Sequence, residues 1–287
     1  MARRLLLMLA MAGLVATAAC ASNEPTPRVD KPHGAFRTYV AIGDSSTAGP
    51  GIHPVDRSSG ACSRAKKNYP ALLAKALKIP SVRDVSCSGA LTKDITEARP
   101  IVSEVPGAML DAVTADTELV TVSIGGNDGG ASSGIVVSCL FYEYDAAKCA
   151  KFLDTKLDKI LKKTVKRLAS ALESIKTKAP NARVILIGYL PVMPEDGGCV
   201  MPDLDPARIA PTRSGLMAIN QAFKKAADSA DVDFISLVDR GADHISCDGD
   251  KAWVTGMEGE PGNGALLHPN KRGMRAVANI LAAYLEK

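Results

Sequence analysis

Three short segments of this chain carry residues suited to acyl-transfer chemistry: Gly43-Asp44-Ser45, Ser86-Cys87-Ser88-Gly89 and Gly125-Gly126-Asn127-Asp128. A serine that attacks an ester needs a base for its proton, donors for the developing oxyanion, and a group that holds the base in one tautomer. Ser45 offers the hydroxyl. It would also cap the next helix, where its own N–H could face the oxyanion with help from the helix dipole. Taken alone, Gly-Asp-Ser is a turn with an N-cap serine. Gly89 lets backbone approach a ligand closely, and Asn127 can donate through its side-chain amide, yet each is also an ordinary turn residue. The concurrence of all three at successive strand ends is what favours a site.

The base must be a histidine, and the chain has four. His33 falls in a linker, His53 in a Gly/Pro-rich loop near Ser45, and His244 close to Cys247. His268 stands in Leu266-Leu267-His268-Pro269-Asn270, just ahead of a C-terminal helical pattern. That placement makes His268 the preferred base and His53 the second choice. Gly130-Ala131-Ser132-Ser133-Gly134 matches the Gly-x-Ser-x-Gly nucleophile elbow. Its serine, however, lies well past the preceding strand, in a stretch expected to be flexible loop. Trp253, the one tryptophan, could line an acyl pocket or fill the surface beneath a loop. Asp44 and Asp128 are expected to hydrogen-bond within their own turns. No HExxH, EF-hand or P-loop pattern occurs, so neither a metal nor a cofactor is expected.

The elements that must position these residues follow a β-then-α rhythm. Strands are predicted over residues 39–42, 82–85, 119–124, 184–187 and 233–238, and helices over 68–77, 154–179, 212–230 and 271–285. Val184-Ile185-Leu186-Ile187 is continuously apolar, as a parallel strand covered on both faces requires. Alternation of this kind implies a doubly wound parallel sheet, with sites beyond the carboxyl ends of the strands. Loops 50–66, 129–152 and 192–212 are expected to shape the pocket. Neither an internal repeat nor a second domain is evident.

Length and composition fit one globular domain: 287 residues, 46% apolar and 23% charged. The net charge of +4 includes Arg3 and Arg4, and no basic run is interleaved with aromatics, so nucleic acid is not an expected partner. Residues 1–19 are predicted to be a signal peptide: two arginines, an apolar run over 5–16, then Thr17-Ala18-Ala19. The run is short of the roughly 20 residues that span a bilayer. Small residues followed by Cys20 are similar to a bacterial lipobox, although Thr17 stands where a branched aliphatic is usual. Residues 20–35 then form an anchor and linker, and residues 36–287 the domain. Localisation is expected to be outside the cytoplasm, membrane-anchored through Cys20 or simply secreted. Six cysteines remain: Cys62, Cys87, Cys139, Cys149, Cys199 and Cys247. An even set in an exported chain suggests three disulfides, with fifteen possible connectivities, of which sequential pairing is the simplest.

Together, Gly43-Asp44-Ser45, Gly89, Gly125-Gly126-Asn127-Asp128 and His268-Pro269 resemble the four ordered blocks of the GDSL-like SGNH hydrolases, over about residues 37–286. Ser45-Ser46-Thr47-Ala48-Gly49 is similar to the actinobacterial secreted branch, with Ser46 in place of the usual Leu. The resemblance implies a flavodoxin-like three-layer α/β/α sandwich on a five-stranded parallel sheet. It also implies Ser45 as nucleophile, His268 as general base, and an oxyanion hole of the Ser45 N–H, the Gly89 N–H and the Asn127 side chain. It favours the pairs Cys62–Cys87, Cys139–Cys149 and Cys199–Cys247. One position departs from the pattern: Ala265 stands where most members have an Asp. In the secreted branch a backbone carbonyl holds the imidazole instead, so a Ser–His dyad oriented by the carbonyl of Ala265 or Leu266 is expected. The implied activity is metal-independent hydrolysis of small-molecule or lipid esters by a monomer. Acyl transfer or deacylation on cell-envelope lipids or glycans is the second reading, and a weakly active lipid-binding lipoprotein the third.

Overall fold

Each predicted strand places alternate residues on opposite faces, and in the three central strands both faces are buried, while the edge strand over 81–84 is largely exposed. In the computed structural model, which describes residues 36–99, 107–141, 144–194, 205–256 and 259–287, five strands form one sheet. They are β1 (Thr38–Gly43), β2 (Ser81–Asp84), β3 (Leu119–Ser123), β4 (Arg183–Ile187) and β5 (Asp233–Ile235). All neighbours are parallel, in the order β2-β1-β3-β4-β5. The helices are α1 (Ser45–Ala48), α2 (Tyr69–Ala76), α3 (Ala131–Ile135), α4 (Ala146–Lys151), α5 (Asp158–Lys178), α6 (Ile209–Ala230), α7 (Val238–Gly241) and α8 (Lys271–Leu285).

Val40, Ile42, Val120, Val122, Val184 and Leu186 face a core shared with α5 and α6. Their neighbours Tyr39, Ala41, Leu119, Ile185 and Ile187 face a second core shared with α2 and α8. The period-2 alternation thus divides each strand between two apolar layers, which gives the flavodoxin-like α/β/α sandwich. Asn68 and Asn270 start the two helices of the second layer. The Asn68 side chain accepts from the Ala71 N–H, and that of Asn270 from the N–H groups of Arg272 and Gly273.

Three element boundaries differ from expectation by three or more residues. The fifth strand stops at Ile235 because the Ser236 hydroxyl accepts from the Val238 N–H, turning the chain into α7. Its apolar continuation, Leu237, packs into the second core without joining the sheet. The helix predicted over 154–179 is regular only from Asp158. Before it, Phe152–Leu157 winds as a wide π-type turn that continues α4. There Phe152 packs onto Gly134, where a Cβ would lie 2.2 Å from its ring. The helix expected from 212 begins at Ile209.

Disulfides join Cys62 to Cys87 and Cys139 to Cys149, two of the implied pairs. Each contributes roughly 2–4 kcal/mol by constraining the unfolded chain. The third implied pair falls on Cys199, outside the described residues. The same holds for the leader 1–19, Cys20 with the linker 20–35, and His33.

Candidate active site

The sheet order reverses between β1 and β3, the place where ligands bind in open parallel sheets. Register puts their ends level: Gly43 pairs with Ser123, and the Asp44 N–H donates to the Ser123 carbonyl at 3.1 Å. Asp44, not Ser45, caps α1, because its carboxylate accepts from the Ser46 N–H at 3.0 Å. Ser45 is therefore the first helical residue. Its N–H has no partner within the helix, and its hydroxyl is released from the capping role expected of it. Gly43 is required here, since a Cβ would lie 2.1 Å from the Thr47 hydroxyl.

His268 is carried by an irregular antiparallel pairing. Val254 bridges Pro269, the Thr255 N–H donates to the His268 carbonyl at 2.9 Å, and the Leu267 N–H donates to the Thr255 carbonyl at 2.8 Å. Asn270 anchors the far side by donating from Nδ2 to the Ala252 carbonyl at 2.8 Å. The ring meets Ser45, with Nε2 2.8 Å from the Ser45 Oγ. Its Nδ1 lies 2.8 Å from the Leu266 carbonyl. Of the two carbonyls left open by the sequence, Leu266 faces the ring, while that of Ala265 takes the His268 backbone N–H at 3.1 Å. Leu267 makes this division possible by adopting φ 58°, the left-handed region unusual for a branched side chain. A carbonyl only accepts, so Nδ1 carries the proton and Nε2 turns its lone pair to the serine hydroxyl.

Gly89 sits at φ 75°, in a loop held by hydrogen bonds from Cys87 N–H to the Gly43 carbonyl and from Ser88 N–H to the Cys62 carbonyl. Nothing lies within 4 Å of the position a Cβ would take, so the glycine serves the backbone conformation and leaves open space. Asn127 donates from Nδ2 to the Ala90 carbonyl at 3.1 Å, which uses one of its two amide hydrogens and ties the β3 loop to the Gly89 loop. Ser45, Asn127 and His268 line one groove; Gly89 joins them only through that tie.

The carboxylate of Asp128 bonds across the fold rather than within its own turn as expected, and that of Asp44 does both. Buried Asp128 accepts from the Thr92 N–H (2.8 Å), the Thr92 hydroxyl (2.5 Å) and the Thr164 hydroxyl (3.0 Å), none of them in its own turn. Asp44 bonds within its turn to Ser46, and beyond it to the Gly125 N–H at 3.3 Å and the Tyr189 hydroxyl. Burial pushes the Asp44 carboxyl up to about 6, although these three donors pull it down.

The groove has a volume of about 300 Å³ and is mainly apolar. Val136, Leu190, Met193 and Leu267 contribute to its walls, together with one face of α6: Arg213, Leu216, Met217 and Asn220. That face follows helical spacing. Its only trace in the sequence is Leu216-Met217, set off the core stripe of Ile219, Phe223 and Ala226. Loop 50–66, expected to shape the pocket, supplies none of its lining residues. Ser132 does line it, from the ordered helix α3 rather than from a flexible loop, and bonds to the Gly126 carbonyl through its backbone N–H.

The other described histidines lie elsewhere. His53 packs against Gly262, and His244 stacks on Trp253 with ring centroids 4.0 Å apart. Trp253 takes the filling role, since Val254, not Trp253, reaches the groove. Among the described residues, no cluster of three or more His, Cys, Asp or Glu is placed to hold a metal ion.

Comparison with known proteins gives the family. Residues 41–276 match the GDSL-like Lipase/Acylhydrolase family. Lipase 2 of Streptomyces coelicolor is 31% identical over 278 residues, covering 92% of this chain and 88% of the relative. An esterase of Streptomyces scabiei is 30% identical, over 97% of this chain and 91% of its own length. The crystal structure of an extracellular lipase from Streptomyces rimosus superposes with a TM-score of 0.71 at 27% identity, covering 86% of this chain and 98% of that one. A phospholipase A1 from Streptomyces albidoflavus gives the same TM-score at 26% identity, over 88% of this chain and 100% of that one. The chain thus belongs to the GDSL-like lipase/acylhydrolase family.

Proposed function

We propose that this family member is an exported carboxylic-ester hydrolase that works through an acyl-enzyme on Ser45. The observation that carries the reading is His268, with Nε2 2.8 Å from the Ser45 Oγ and Nδ1 on the Leu266 carbonyl. Ser45 Oγ attacks the ester carbonyl as Nε2 takes its proton. The oxyanion faces the Ser45 N–H, the Gly89 N–H and the free amide hydrogen of Asn127. Collapse expels the alcohol, which takes the proton from Nε2, and the acyl group stays on Ser45. Water, deprotonated by His268, repeats the sequence and frees the acid. The apolar groove beside Ser45 suits the acyl portion. Hydrolysis of short- and long-chain p-nitrophenyl esters by wild type and Ser45→Ala tests the assignment; equal rates in the two overturn it.

Asn127→Ala is expected to lower kcat by on the order of 10²–10³, the usual effect of losing one oxyanion donor. A change confined to KM would remove Asn127 from that role. Export is supported by the leader-like residues 1–19 and by the extracellular Streptomyces rimosus relative. Cys20, after three small residues, is the candidate lipid anchor. Palmitate incorporation should appear in wild type and vanish in Cys20→Ala; an unlabelled wild type leaves plain secretion.

A further inference from the structure

Tyr189, two residues beyond β4, meets both turns that flank Ser45. Its hydroxyl donates to Asp44 Oδ2 and accepts from the Gly126 N–H at 2.9 Å. Asp44 Oδ2 also accepts from the Gly125 N–H, and Oδ1 from the Ser46 N–H. One phenol thus closes a ring of hydrogen bonds between the nucleophile turn and the turn that leads into Asn127. The main chain of Tyr189 is fixed on both sides by Asn220 of α6, whose Oδ1 accepts from the Tyr189 N–H at 2.6 Å and whose Nδ2 donates to the Tyr189 carbonyl at 3.3 Å. The ring itself packs edge-on against Phe223 with centroids 5.0 Å apart.

The glycine pair of the β3 turn makes room for these two rings. A Cβ on Gly126 would lie 2.7 Å from Tyr189 Cε2, and one on Gly125 would lie 2.8 Å from Phe223 Cε1. Gly125-Gly126 therefore admits the aromatic pair as well as making a turn.

We infer that Tyr189 is a positioning residue of the reaction: its hydroxyl clips the Ser45 turn to the Asn127 turn and sets the spacing between nucleophile and oxyanion donor. This rests on the roles proposed for Ser45 and Asn127. A wall residue of the groove would act through substrate binding, whereas a clip acts on the chemical step. The clip also has a pH signature. Asp44 serves all three donors as a carboxylate; once protonated it must itself donate, into a site that already presents donors. Tyr189, Tyr69 and Asp128 are the titratable groups that face Asp44, and His268 bonds to the adjacent Ser45. Hydrogen bonds from Tyr189, Ser46 and Gly125 hold the Asp44 carboxyl down against burial. Deleting the hydroxyl raises the carboxyl further, and Asp44 is then protonated at a pH where the wild type is ionised.

Tyr189→Phe keeps the ring and removes the clip. With p-nitrophenyl butyrate, kcat is expected to fall on the order of 10-fold, with KM within about twofold, in line with the rate cost of small misplacements in a reacting pair. The acidic limb of the kcat–pH profile should move to higher pH. A wild-type kcat with an unmoved limb, or a loss wholly in KM, overturns the inference. Should Tyr189→Phe fail to melt cooperatively, Asp44→Asn deletes the other end of the clip, and a wild-type kcat and pH profile there overturns it equally. Ser45→Ala in the same assay separates the two readings. If Ser45→Ala is inactive and Tyr189→Phe behaves as wild type, the clip alone fails; if Ser45→Ala is fully active, the nucleophile assignment fails first.

Discussion

Ser45→Ala is expected to lower kcat for p-nitrophenyl esters on the order of 10⁴–10⁶, the range seen when a serine hydrolase loses its nucleophile. The change removes one hydroxyl from the first residue of α1. The Asp44 cap, the backbone of the turn and the groove all stay in place. KM for a poorly hydrolysed ester should therefore change little, and the melting temperature should stay near that of the wild type. What remains is the oxyanion donors acting on a water molecule in place of the serine. A variant within tenfold of wild type would move the nucleophile elsewhere, and Ser132 would be the next hydroxyl in the groove to test.

His268→Ala should reach a loss of similar size, and the double variant with Ser45→Ala should be little worse than either single one. Residues that act as one unit are not additive. If the two losses multiplied, Ser45 and His268 would be acting separately despite the 2.8 Å contact. The Leu266 carbonyl defines what the proposed dyad would lack. It fixes the tautomer as a carboxylate would, but it brings no negative charge to the imidazolium that the proposed attack would form. His268→Ala separates the imidazole from its support, and imidazole added to the assay should restore part of the rate. No rescue together with a small loss would place the base elsewhere.

The parts of this structure written in local pattern were legible in the sequence. The apolar runs at β1 and β4, the largely apolar β3 and the amphipathic α8 follow directly from burial on two faces or on one. Gly89, Asn127 and His268 are ordinary turn or loop types singly, and are legible as site candidates only because they fall together with Ser45 at strand and helix ends. Residues whose roles depend on tertiary contact did not stand out. Tyr189 follows a strand as countless tyrosines do, and only the Gly125-Gly126 turn opposite gives its hydroxyl a purpose. The choice between the carbonyls of Ala265 and Leu266 turns on a left-handed Leu267, which no propensity of leucine foretells. The overlong fifth strand shows the converse: Leu237 is buried as a strand residue would be, but it is buried after the chain has turned.

Helix α6 performs two tasks within one turn. Leu216 and Met217 form part of the groove wall, and Asn220, the next turn along, holds the main chain of Tyr189. With Tyr189 as the inferred clip, groove shape and turnover are linked through this helix. Substitutions that widen the groove at 216 or 217 for bulkier acyl groups are then expected to disturb the support Asn220 gives Tyr189, and to lower kcat as they broaden specificity. Val136 and Met193 lie off that helix. They nevertheless share an apolar cluster with Ile209 and Leu216 of α6, so a substitution there reaches the same helix from its other side.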